Sequence, residues 1–114
     1  MNAATELIAD FQQFLELVSP RLDPLPQDSR ARMFALLENI QRLADAQVLP
    51  WRYLRASYGL KWCIGSGRVA GTVVLKVREL SPEDLLRLVF EAAKEDPPYD
   101  DLPLWLCRRL GFIQ

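Results

Sequence analysis

Histidine is absent from this 114-residue chain, and no other absence excludes as much. Without imidazole there is no Ser-His or Cys-His activation of a nucleophile, no His-bearing metal cage, and no unperturbed side chain that titrates between about pH 5 and 8. Cysteine is nearly absent too. Cys63 and Cys107 stand 44 positions apart, without the close paired spacing of a zinc or redox motif, so free thiols are expected. Long apolar runs are also missing, since Val73-Val74-Leu75 is closed by Lys76, far short of the ~18 residues of a membrane span. Met1 to Leu17 carries Glu6, Asp10 and Glu16 and no basic start, so no secretory leader is read. A cytoplasmic protein with no cofactor, no metal and no membrane contact is the expectation.

What is present is ordinary globular material, half hydrophobic and a quarter charged, enough for one domain over residues 1–114. Arginine outnumbers lysine eleven to three, the bias that GC-rich bacterial genomes produce. From Thr5 the positions Leu7, Phe11, Phe14, Leu15 and Val18 repeat at helical steps until Ser19-Pro20. After the rigid Leu22 to Pro26 connector, Asp28 or Ser29 caps a second helix, about 28–46, striped by Met33, Leu36, Leu37, Ile40, Leu43 and Ala44. Residues 1–48 are thus predicted to form an antiparallel αα pair.

Residues 49–79 read differently. Pro50 suits the first turn of a short helix with Trp51, Leu54 and Tyr58 on one face, and Gly59 reads as its stop. Beyond it Leu60, Trp62 and Ile64 alternate with Lys61 and Cys63, then Val69, Gly71, Val73, Leu75 and Val77 with Arg68, Thr72, Lys76 and Arg78. That alternation predicts a β-hairpin turning at Ser66-Gly67, with Trp62 facing Gly71. Residues 80–114 return to helix. Ser81-Pro82-Glu83-Asp84 is a start signal, Pro97-Pro98 a stop, and Asp100 or Asp101 opens a last helix that Gly111 ends. The predicted fold is α+β, helix-rich, about five helices around one central β-hairpin in the order α-α-α-β-β-α-α. A lone hairpin is marginal, so it must lie on the helices or pair with one from a second chain, which would make a homodimer.

Two tempting motifs fail on spacing. Gly65-Ser66-Gly67-Arg68-Val69-Ala70-Gly71-Thr72 has neither the gap nor the Lys-Ser/Thr ending of a phosphate loop. Asp96-Pro97-Pro98-Tyr99-Asp100-Asp101 lacks the alternating ligands of a calcium loop, and two adjacent aspartates do not straddle a substrate. No catalytic constellation can be named, so a non-enzyme is expected.

Charge is the non-random feature. Residues 1–50, 51–80 and 81–114 carry −3, +5 and −3. Within the basic centre Trp51-Arg52-Tyr53-Leu54-Arg55 and Lys61-Trp62 interleave cations with rings. Helical spacing sets Arg52 and Arg55 away from Trp51, Leu54 and Tyr58. Strand parity sets Lys61, Lys76 and Arg78 on one outer face with Arg68 at the tip. The candidate partner-binding residues are therefore Arg52, Tyr53 as a ring anchor, Arg55, Lys61, Arg68, Lys76 and Arg78. They suit a small regulator, inhibitor or assembly subunit that binds an acidic protein. In order of elements alone, residues 28–78 resemble the end of a winged helix-turn-helix domain, with Leu49 to Tyr58 as recognition helix and the hairpin as wing. That resemblance implies an alternative, a nucleic-acid-binding regulator using the same cations on phosphates.

Overall fold

Each helix whose start is marked by a capping side chain begins where that side chain directs. In the computed structural model, which describes residues 8–113, Asp10 accepts the Gln13 N–H at 2.9 Å and opens α1, Phe11–Val18. The expected helical positions Thr5, Glu6 and Leu7 lie outside the described residues. Asp28 accepts the Ala31 N–H at 2.9 Å and opens α2, Ser29–Asp45. Ser81 accepts the Asp84 N–H at 3.1 Å and opens α5, Pro82–Glu95, with Pro82 in its first turn. Between them run α3, Trp51–Gly65, and α4, Gly71–Glu79; α6, Leu102–Arg109, follows a 3-10 turn at Tyr99–Asp101. None of these three helices has a side-chain cap.

The predicted α+β fold is overturned. Six α-helices and no strand are found among the described residues, so the central β-hairpin does not exist. Its first strand is the second half of α3, and its second is α4. The reason is visible in what is buried. On α3 Tyr53, Ala56, Ser57, Leu60, Cys63 and Ile64 form one helical face in the core, and Val73 and Val77 on α4, with Val69 in the loop before it, are buried at steps of four. Leu75, needed for the strand alternation, is 51% exposed. Gly59 does not stop α3 either. A Cβ there would lie 2.6 Å from Leu102 Cδ2 and 2.9 Å from Tyr99 Cε1, so this glycine lets the chain before α6 approach the helix axis. Gly67, at φ +75°, is a true turn residue, but it joins two helices.

The expected αα pairing also changes. α2 packs most extensively on α3, which lies between α2, α5 and α6, and α1 packs chiefly on α5. Aromatic rings decide this. Phe14 stacks on Tyr53 at 5.0 Å between centroids and meets Phe90 at 5.6 Å, while Phe11 meets Phe90 edge-on at 5.7 Å. The segment after α1 is tied to α2: Asn39 accepts the Asp23 N–H at 2.9 Å, and Arg42 donates to the Arg21 carbonyl at 2.8 Å. With no hairpin, the route to a dimer by hairpin pairing disappears. No described helix is long and apolar enough to cross a membrane.

Candidate functional site: an aromatic and cationic face on α3

The face of α3 opposite its buried side repeats large side chains at steps of four, three and four residues: Trp51, Arg55, Tyr58 and Trp62. Two of the rings are left in water, Trp51 at 63% and Tyr58 at 60% exposure. Cations lie over two rings of the stripe, Trp51 and Trp62. Arg55 sits 6.0 Å from the Trp51 centroid and 5.6 Å from that of Tyr99, and its guanidinium pairs with Asp96 at 3.6 Å. Trp62 has two such neighbours, the Tyr99 ring at 6.3 Å between centroids and the Arg68 guanidinium at 4.6 Å from its own.

Toward α2 this face opens into a groove of about 320 Å³ lined by Phe34, Tyr58, Lys61, Trp62, Gly65 and Ser66. Arg30 lies 5.1 Å over the Phe34 ring, and Lys61 pairs with Glu38 at 3.2 Å. Lys61 thus lines an aromatic trough, and two guanidiniums, Arg30 and Arg68, lie over its Phe34 and Trp62 rings. Gly65 stands at its edge, where an added Cβ would come only to 3.9 Å from Phe34, an ordinary contact.

Of the seven residues predicted to bind a partner, the structure brings Arg55, Lys61 and Arg68 to this face. Arg52 is exposed on α3, and Lys76 is exposed on α4; neither has an ion-pair partner among the described residues. Arg78 turns toward α2 and donates to Ser29 Oγ at 3.2 Å. Tyr53, the expected ring anchor, is only 2% exposed and belongs to the core, where burial raises its hydroxyl well above the usual tyrosine range. The separation of Arg55 from Trp51 is also corrected, because the guanidinium lies over that ring. Trp51, Tyr58, Tyr99, Phe34 and Arg30 join the face from outside the predicted set. The signal for the first two was the stripe continuing to Trp62 beyond Gly59.

The two thiols are free, Cys63 buried and Cys107 half-buried. Burial pushes the Cys63 thiol up to about 11, with Arg68 lowering it and Cys107 raising it to smaller extents. Among the described residues no cluster of three or more Cys, Asp or Glu is arranged to hold a metal ion. A comparison with protein-family models, curated proteins and solved structures finds no match to this chain.

Proposed function

We propose that the protein is a small, non-catalytic cytoplasmic interaction module that binds an acidic protein partner through the α3 face. The observation that carries this is one stripe of Trp51, Arg55, Tyr58 and Trp62, with Trp51 and Tyr58 exposed and Arg55 and Trp62 half-buried, mounted on a helix whose other side is core. Trp, Tyr and Arg are the residue types that dominate binding energy at protein interfaces, because each presents a large surface with few rotatable bonds or a forked donor. A helix packed on its far side holds them without loop entropy to lose on binding. The cations on this face supply the preference for acid.

The nucleic-acid alternative loses its geometric basis with the wing, since residues 69–79 are helix and turn.

The test uses the full chain as bait in its native host, with crosslinking and quantitative recovery of what is bound. Trp51→Ala combined with Arg52→Glu removes recovery of the specific partner, and the recovered partner is acidic on its crosslinked surface. Equal recovery by this variant overturns the proposal. So does duplex DNA or RNA binding whose log affinity falls linearly with log salt between about 50 and 300 mM.

A further inference from the structure

The groove between α2 and α3 has a shape and a charge that specify more than an acidic surface. Its walls are the rings of Phe34, Tyr58 and Trp62, and its volume of about 320 Å³ is at the small end of ligand sites, room for one or two bulky side chains. Phe34 and Trp62 are each capped on one side by a guanidinium, from Arg30 and Arg68. Lys61 lies in the groove itself, with Glu38 as its present partner. That pair is exposed on both sides and weak, so an incoming carboxylate can take Glu38's place. Among the described residues Glu38 is the one acidic group paired with a cation of this groove.

We infer that this groove is the reading pocket for a short acidic peptide segment of the partner, which inserts one bulky apolar side chain between Phe34 and Trp62 and sets flanking carboxylates on Lys61, Arg68 and Arg30. The inference rests on the proposed function and narrows it to a peptide of stated chemistry. Apolar anchoring supplies burial, and the carboxylates at its flanks fix polarity and register.

Gly65 makes the test sharp. It lies in the last turn of α3, exposed and without a positive φ, so a larger side chain there enters the groove and leaves the core untouched. The probe is a fluorescein-labelled peptide of aspartate and glutamate with one central leucine, read by anisotropy against the full chain. The expected result is saturable binding that Gly65→Leu weakens by about tenfold or more, while Gly65→Ala retains it. Replacing the central leucine by glycine, or the acidic residues by lysine, removes binding, and Arg68→Glu with Lys61→Glu transfers preference to the lysine peptide. Circular dichroism and thermal unfolding confirm that each variant is folded.

No binding of the acidic leucine peptide, equal binding by Gly65→Leu, or equal binding of the glycine or lysine peptide each overturns the inference. The two proposals separate cleanly. A native partner lost with Trp51→Ala plus Arg52→Glu but kept by Gly65→Leu sinks the groove and leaves the interaction face; a partner indifferent to both sets sinks both.

Discussion

The two sides of α3 carry the same kinds of residue to opposite ends. On the inner side Tyr53 lies nearly parallel to Phe14, at 15° between ring planes, and Leu60 and Cys63 are fully buried. On the outer side Trp51 and Tyr58 are mostly in water, with the Arg55 guanidinium beside the Trp51 ring. A ring against carbon contributes to folding through the area it removes from water; a ring beside a guanidinium in water contributes little until something covers it. One helix therefore separates stability from recognition by about half a turn. Damage to one side should leave the other readable.

The largest effect expected is from Tyr53→Ala, which empties the centre of the aromatic cluster and costs about 3–5 kcal/mol in denaturant unfolding. A loss comparable to a surface substitution would mean the inner face is not the stabilising one. Next comes alkaline pH. The buried Cys63 thiol ionises at about 11 instead of its ordinary 9.0, so the unfolded chain gives up this proton first and ionisation favours unfolding. Stability should hold below about pH 9 and the thiol's share, up to about 2–3 kcal/mol, should be lost as pH rises through 11; Cys63→Ala should remove the fall that begins near pH 9 and leave the later one, above about pH 10, that the buried Tyr53 hydroxyl contributes. Third is Gly59→Ala. Crowding against Leu102 and Tyr99 exceeds the gain in helix propensity, for a net loss of about 1 kcal/mol. The smallest change is on the outer face, where Trp51→Ala with Tyr58→Ala shifts unfolding by no more than about 0.5 kcal/mol while partner recovery is lost. Should this pair destabilise as much as Tyr53→Ala, the division between the two sides fails.

The same helix explains what could be read in the amino-acid order and what could not. α2 and α5 announce themselves because Asp28 and Ser81 supply cap oxygens and their apolar steps permit only one period. α3 and α4 have no side-chain cap, and their apolar residues satisfy two periods together. Val69, Val73 and Val77 fit both; only the exposure of Leu75 and Gly71 separates them, and exposure is a property of the folded chain. Gly59 then compounded the ambiguity. Read as a stop, it shortened α3 to a window in which Trp51, Leu54 and Tyr58 look like the inner stripe. Extending the helix to Gly65 adds Leu60, Cys63 and Ile64, which move the apolar centre to Tyr53 and turn Trp51 and Tyr58 outward. The close approach that permits Gly59 comes from Tyr99 and Leu102, some forty positions away, and no local rule records it. For the site, the mixture of cations and rings was legible, whereas the contributions of Phe34, Arg30 and Tyr99 depended on which helices become neighbours.

Trp62 gives the molecule a built-in optical readout. Its indole neighbours the Tyr99 ring and the Arg68 guanidinium at the wall of the groove, whereas Trp51 is mostly exposed to solvent and Trp105, on α6, donates to Glu95. Any occupant that displaces water from that wall alters the emission of one indole out of three. Occupancy of the groove can therefore be followed by unlabelled fluorescence, with Trp62→Phe as the silent reference.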